Sequence, residues 1–292
     1  MIKILIIGIT GTLGHKMAQE LSTNKRLIIH GIFTNKSKLM RIKKFIKLKN
    51  CHKIKKIGEI IRLINNQKFN YVINCAGLIK QKKVDIKNIY LLNTIFPIEI
   101  SNLAETLKFR FIHFSTDCVF DGKKGDYLES QFPNAKDIYG ISKAKGEPSV
   151  KNKQTLVLRT SFIGHEIIGK YSLLNWFINS NSKIYGFSNC YFNGLTNIEI
   201  SKFLKKIIEK NLFFSGLFHF SGKKINKYQL LKKINLVYKL KKNITPSSQP
   251  KINRTLNNSK IKKKYKYKPK TWDKLLKDLF LDYRNNVKIY KN

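Results

Sequence analysis

Cysteine is scarce, and its spacing excludes more than its number does. Cys51, Cys75, Cys118 and Cys190 lie far apart and form no C-x-x-C or Cys/His pattern, so neither a metal site nor a disulfide framework is expected. They read instead as reduced thiols of a cytoplasmic protein. Long apolar runs are missing too. Nothing approaches the ~20 residues that span a bilayer, so no membrane insertion is expected. The apolar stretch Ile2 to Ile7 runs straight into a glycine-rich turn rather than a cleavage site, which argues against a signal peptide. Arginine is rare as well: only seven of the 58 basic residues are Arg, and the 17 carboxylates leave a net charge of +41. Such a charge would ordinarily point to nucleic acid. Here it is almost all lysine, spread through every expected helix among abundant Ile and Asn, as AT-rich codons would produce. No specific nucleic-acid partner is expected, although a positive cleft raises the encounter rate of polyanions such as NADP and nucleotide sugars.

What is present is an alternation of buried strands and helices. Ile2 to Ile7 is a continuous β-branched run, the pattern of a strand covered on both faces of a parallel sheet. Gly8-Ile-Thr10-Gly11-Thr12-Leu13-Gly14 follows and leads into a helix over 13–21. A glycine turn between strand and helix lets the backbone approach a pyrophosphate at the positive helix end. Its G-x-x-G-x-x-G spacing departs from the general G-x-G-x-x-G fingerprint. Leu27 to Phe33 reads as the second strand. At its end stand Thr34, Asn35, Lys36, Ser37 and Lys38, with Arg41 one turn on. With no carboxylate to take the ribose hydroxyls, this end favours a 2′-phosphate, so NADPH is preferred and NAD remains open. Residues 38–70 read as helical and basic. Tyr71 to Gly77 is another buried strand, ending in Asn74-Cys75-Ala76-Gly77, and a single helix is expected from Lys87 to Lys108, carrying Asn93.

Arg110 to Phe114 is a strand that delivers Ser115 and Thr116, followed by Asp117, Cys118, Val119 and Phe120. His113 within it reads as a satisfied core or edge histidine. Pro133-Asn134 opens the helix that carries Tyr139 and Lys143. Four residues apart, a phenol and an ammonium share one helical face. The cation would pull the Tyr139 pKa down from its usual ~10 towards the working range of a general acid. The spacing also arises by chance in so lysine-rich a chain, and a solvated helix face is the other reading. Thr116 stands where its hydroxyl would hold the same substrate oxygen that Tyr139 protonates.

The order of these pieces resembles the extended short-chain dehydrogenase/reductases. Ser115-Thr-Asp-Cys-Val-Phe-Asp-Gly122 with Tyr139-Gly-Ile-Ser-Lys143 is most similar to the dTDP-4-dehydrorhamnose reductase group. The resemblance is strong over 1–165 and looser beyond. It implies an α/β fold, a Rossmann-type doubly wound parallel sheet over 1–164 with a smaller C-terminal α/β substrate-binding part over 165–292. It also implies NADPH-dependent reduction of a nucleotide-activated 4-keto-6-deoxysugar for cell-surface polysaccharide synthesis. Thr116, Tyr139 and Lys143 would be catalytic. Gly8, Thr10, Gly11, Thr12, Leu13, Gly14, Thr34, Asn35, Lys36, Cys75, Ala76, Gly77 and Ser115 would hold NADP together with Tyr139 and Lys143. Asp117, Cys118 and Phe162 would read the sugar. Cys118 and Phe162 replace the group's usual Tyr and Trp, which leaves the sugar and nucleotide open; Gly164-His165-Glu166 adds a further candidate contact.

An epimerase or dehydratase retaining NAD, and a non-catalytic NADP-sensing or RNA-binding protein on the same fold, are the alternatives. A homodimer is left open. Trp176, Phe177 and Trp272 read as core, and the basic, aromatic tract 260–270 as a solvated turn.

Overall fold

The computed structural model describes residues 1–78, 85–148 and 151–290. Its centre is a seven-stranded parallel sheet. The strands in chain order are β1 (Ile2–Ile7), β2 (Leu27–Phe33), β3 (Asn50–Lys53), β4 (Tyr71–Asn74), β5 (Arg110–Thr116), β6 (Thr155–Thr160) and, much later, Gly216–His219. Across the sheet that late strand comes first, followed by β6, β5, β4, β1, β2 and β3. The chain therefore winds outward from β1 in one direction and then returns to β4 to wind in the other. The reversal between β1 and β4 opens the crevice where doubly wound sheets bind ligands.

Alternation explains why β1 is apolar throughout. Ile4 and Ile6 enter one core with Met17, Leu21 and Ile29, while Leu5 and Ile7 enter the other with Phe96, Ile100 and Phe111. Each face is covered by helices, and at ~25 cal/mol per Å² of buried apolar surface such two-sided strands contribute most per residue. The helices are α1 (Gly14–Ser22), α2 (Lys36–Lys43), α3 (Ile57–Asn66), α4 (Ile86–Tyr90), α5 (Phe96–Leu107) and α6 (Ile138–Lys145).

Three sequence expectations need correction here. Residues 38–70 are not one helical stretch, because β3 lies between α2 and α3 and pairs in parallel with β2. Its residues Asn50-Cys-His-Lys53 are polar and half-exposed at the sheet edge, so no apolar run marks it. The helix expected over 87–108 is helical throughout 86–107 but not uniform: a π-helical turn, Leu91–Ile95, joins α4 to α5, and Pro97 stands in the first turn of α5. Proline has no N–H to continue the ladder, and the wider turn accommodates this. The Tyr139 helix starts later than Pro133-Asn134. Asp137 is its cap, accepting from the Gly140 N–H at 2.9 Å.

Beyond β6 come β7 (Phe162–Ile163), α7 (Leu173–Asn179), β8 (Ile184–Phe187), β9 (Cys190–Phe192), β10 (Leu195–Thr196), α8 (Asn197–Glu209) and β11 (Gly216–His219), the late strand of the main sheet. Then follow β12 (Ile225–Asn226), α9 (Lys227–Val237), β13 (Ile244–Ser247), β14 (Ile252–Asn253), α10 (Ser259–Tyr265), α11 (Trp272–Asn285) and α12 (Val287–Tyr290). Small sheets β12-β9-β14 and β13-β8 lie outside the main sheet, yet Ile184, Phe192 and Ile225 of these strands share one apolar core with Ile4 and Ile6 of β1. The rest returns to the main sheet: β11 pairs with β6, and Asp282 of α11 binds Lys16 of α1 at 2.6 Å.

Phe177 and Trp272 are core, but Trp176 is 40% exposed, because the neighbouring position on α7 turns outward when Phe177 faces in. In the tract 260–270, Ile261 and Tyr265 are buried, and Lys270 bridges Glu199 and Asp278. Tyr265 and Tyr267 pack on Phe203, so their rings are committed to the core. No helix among the described residues is long and apolar enough to cross a membrane.

Four histidines are sealed inside. His15, His113 and His219 are 0% exposed and His165 is 2% exposed. Burial holds His15, His165 and His219 down to about 3 and His113 well below its ordinary value. Their neutral forms are therefore favoured by folding, and the unfolded chain binds the protons first as pH falls below ~6.5. The stability they contribute is fully present above that pH. It is lost at about 1.4 kcal/mol per pH unit per histidine on further acidification. Denaturant midpoints measured between pH 7 and pH 5 should fall steeply; a flat profile would contradict this burial.

Candidate active site

At the C-terminal ends of β1, β4, β5 and β6 lies a cavity of about 420 Å³. The turn after β1 forms one wall with Thr10, Gly11, Thr12 and Leu13. Helix α1 begins there with no side-chain cap and no acidic residue in its first turn, leaving its positive end for an anionic ligand. Gly8 and Gly14 do not line the cavity. Gly8 takes a left-handed φ of 78°, and a Cβ on Gly14 would collide with the Gly8 carbonyl. Gly11 is thus the glycine that faces a ligand, while the outer two let the turn fold onto itself. Asn197 of α8 braces it, donating to the Thr12 carbonyl at 2.7 Å.

Cys75, Ala76 and Gly77 line the next wall. Asn93, on the π-turn, secures it: Oδ1 accepts from Leu78 N at 2.9 Å, and Nδ2 donates to Leu78 O at 3.0 Å and to Ser142 Oγ at 3.2 Å. Asn93 thus ties the wall after β4 to the helix that carries Tyr139 and Lys143. Thr94 adds a bond to the Ser142 carbonyl at 2.7 Å.

Of the residues after β2, Lys38 lines the cavity. Thr34, Asn35 and Lys36 are exposed and lie outside it. Asn35 caps α2 by accepting from Lys38 N at 2.9 Å, which sets Lys38 in the first turn of that helix.

Ser115, Thr116, Asp117 and Cys118 meet Tyr139 and Lys143 in the same cavity, with Phe162 across from them. Ser115 Oγ donates to Glu147 Oε1 at 2.6 Å, and Glu147 is held bidentate by Arg159 at 2.8 and 2.7 Å. That ion pair pins the end of α6 to β5 and β6. Thr116 Oγ1, rather than Asp117, caps the turn Asp117–Val119, accepting from Cys118 N at 3.1 Å and donating to Asp117 Oδ1 at 3.1 Å. Burial raises the Asp117 pKa, against the pull of Lys227 at the start of α9 and of Arg254 just after β14.

The expected lowering of the Tyr139 pKa by Lys143 is not found. Burial pushes the phenol upward, with Cys118 adding to it and a hydrogen bond with Thr116 opposing it. Lys143 bonds to β5. Its Nζ donates to the Phe114 carbonyl at 2.7 Å and lies 3.3 Å from His113 Nε2. Burial brings it down to about 8, with Glu147 acting the other way. Tyr139 is consequently protonated at physiological pH, the state a proton donor requires.

Further lining residues come from beyond β6, among them Glu166, Tyr171, Ser172 and Leu173. His165 instead points into the core, 2.8 Å from Tyr238 Oη. Glu166 accepts from Tyr171 N at 3.0 Å, folding this loop over the cavity. Of this group the sequence marks only Glu166, within Gly164-His165-Glu166.

The sequence matches the RmlD substrate binding domain family over residues 2–285. The chain belongs to this family. A dTDP-4-dehydrorhamnose reductase of Aggregatibacter actinomycetemcomitans is 25% identical over 308 residues, spanning 96% of this chain and 98% of that protein. The fold agrees with a crystal structure of dTDP-4-dehydrorhamnose reductase from Bacillus anthracis in complex with NADP, with TM-score 0.76 at 19% identity over 96% of this chain and 98% of that one. It agrees equally with the dTDP-glucose 4,6-dehydratase of the same organism in complex with NAD, with TM-score 0.78 at 16% identity over 99% of each chain. These two likenesses show the α/β fold that the resemblance implied, and the fold alone.

Lys38 generates a direct test. Lys38→Glu should weaken NADPH at least ~tenfold more than NADH, about 1.4 kcal/mol of discrimination, measured as the ratio of dissociation constants. An unchanged ratio would mean that Lys38 does not meet the cofactor's distinguishing phosphate.

Proposed function

We propose that the protein is an NADPH-dependent reductase of a nucleotide-activated 4-keto-6-deoxysugar, acting in cell-surface polysaccharide synthesis. The observation that carries this reading is the convergence in one cavity of an uncapped helix end, Lys38, Thr116, Tyr139 and Lys143. The full-length likeness to a dTDP-4-dehydrorhamnose reductase supports the substrate class. NADP in the Bacillus anthracis structure supports the cofactor, with NAD as the weaker choice. The residues fit such a group. The α1 turn would take its pyrophosphate, Lys38 its 2′-phosphate, and Ala76, Gly77, Ser115 and Lys143 its remaining length. Residues 1–164 would supply most of the cofactor contacts, and 165–292 most of the sugar contacts.

The bound dinucleotide supplies the hydride. Tyr139 donates a proton to the oxygen that becomes the new hydroxyl, and the phenolate left behind needs a cation or a fresh proton. Lys143, one helical turn away, supplies either once it leaves the Phe114 carbonyl. Thr116 holds the substrate oxygen near Tyr139, while Asp117, Cys118 and Phe162 offer a carboxylate, a thiol and an aromatic face for the sugar. Glu166 adds a second acceptor for hydroxyls. The loop over 164–173 limits the water that reaches the site.

An epimerase or dehydratase that retains NAD would need acceptors for the ribose hydroxyls after β2, and the sequence there has Thr34 to Lys38 with no carboxylate.

Tyr139→Phe should lower turnover at least ~100-fold, the lower end for a lost general acid, while NADPH affinity stays within about twofold of the parent. Steady-state kinetics on an accepted 4-keto nucleotide sugar, with NADPH binding measured separately, checks both. Unchanged turnover would remove Tyr139 from the chemistry.

A further inference from the structure

Lys143 is tied into a buried chain of hydrogen bonds that leads back to the cofactor wall. The Ala76 N–H donates to Asn74 Oδ1 at 3.1 Å. Asn74 Nδ2 lies 3.1 Å from His113 Nδ1, and His113 Nε2 lies 3.3 Å from Lys143 Nζ. Asn74 is 1% exposed, His113 0% and Lys143 4%, so water does not substitute for either partner in the Asn74–His113 contact. Pairing of β4 with β5 sets Asn74 directly beside His113, and His113 stacks on Phe111 with ring centroids 6.0 Å apart.

The directions of these bonds are fixed from one end. A backbone N–H only donates, so the Asn74 oxygen must face Ala76 and its NH₂ must face His113. Nδ1 is therefore an acceptor, and a neutral imidazole then carries its proton on Nε2. That N–H points at Lys143. An amine nitrogen accepts it through its lone pair while donating to the Phe114 carbonyl at 2.7 Å. An ammonium has no lone pair and would meet the imidazole N–H proton to proton.

We infer that His113, locked in one tautomer by Asn74, is a positioning residue for Lys143, docking it on β5 as a neutral amine and coupling its release into the cavity to uptake of a proton. The proton comes from solvent and bonds to Nζ; no other bond changes. Lys143 about 8 places the docked form above that pH and the released ammonium below it. The other ionisable groups facing Lys143 agree with this. Glu147, beyond the end of α6, favours the ammonium but is neutralised by Arg159. Burial keeps Tyr139 and Cys75 protonated and uncharged. The consequence for the site is that an anionic cofactor, by favouring the ammonium, draws Lys143 off β5 towards Tyr139.

The inference rests on the dinucleotide reading of the cavity, and two measurements separate the two. Calorimetry of NADPH binding in buffers of different ionisation enthalpy reads proton uptake directly. Uptake should be near zero at about pH 6.5 and approach one proton per NADPH at about pH 9, as expected when binding raises a pKa from near 8. Asn74→Asp presents an oxygen to His113 Nδ1, which moves the imidazole proton there and turns Nε2 into an acceptor for an ammonium. Uptake at about pH 9 should then fall by at least half, whereas a purely structural role would change affinity without changing proton stoichiometry. Nitrogen NMR of His113 in the unliganded wild-type protein needs neither ligand nor variant and should show the proton on Nε2. A proton on Nδ1, or NADPH binding without uptake, or uptake that Asn74→Asp leaves unchanged, overturns the inference. Failure of NADPH to bind at all would count against the cofactor reading, and the His113 spectrum would still decide the tautomer.

Discussion

The position of helix α6 is the constraint on which the site depends, and backbone contact sets it. Gly140 lies against the Cys118 carbonyl and Gly146 against the Asn93 carbonyl, each so close that a Cβ would collide. The helix is therefore seated between the turn after β5 and the π-turn after α4. Asn93 and Thr94 bond to Ser142 from one side, and Arg159 and Ser115 grip Glu147 from the other. Breaking one partner of a buried pair leaves an uncompensated charge, at about 3–5 kcal/mol. The seat thus fixes where Tyr139 and Lys143 stand relative to Thr116, and with that the chemistry open to them.

Seating α6 this tightly also explains why the Tyr139 and Lys143 pair departs from its simplest reading. Helical spacing brings the two residues to one face, but it says nothing of the strand lying underneath. On β5 the Phe114 carbonyl and His113 offer Lys143 a closer partner than the phenol does. Tyr139 then feels burial more than charge. In the proposed reading, cofactor contacts and proton chemistry meet at Lys143, which makes the protonation of this one amine the control point of the site.

Much of this was legible in the sequence. The β-branched run at Ile2 to Ile7, the glycines at 8, 11 and 14, and the motifs at 115–122 and 139–143 led to the sheet, the crevice and the family. What escaped was set by tertiary context. The strand at Asn50 to Lys53 is polar because it is an edge, and the π-turn at Leu91 to Ile95 has no marker but Pro97. Lys38 rather than Lys36 lines the cavity, a matter of helix phase that a run of lysines cannot show. Tyr171 reaches the cavity through the loop over 164–173, which no motif marks.

The reductase reading makes one statement that its fold-sharing rivals do not. A reductase consumes its dinucleotide, whereas an epimerase or dehydratase that keeps NAD returns the hydride and shows no net oxidation. The most direct measurement is the stoichiometry of NADPH oxidised per sugar converted, followed by absorbance while NMR identifies the product from a dTDP-4-keto-6-deoxyhexose. The account predicts one NADPH oxidised for each 4-hydroxyl formed. Conversion of the sugar with no NADPH consumed would contradict it.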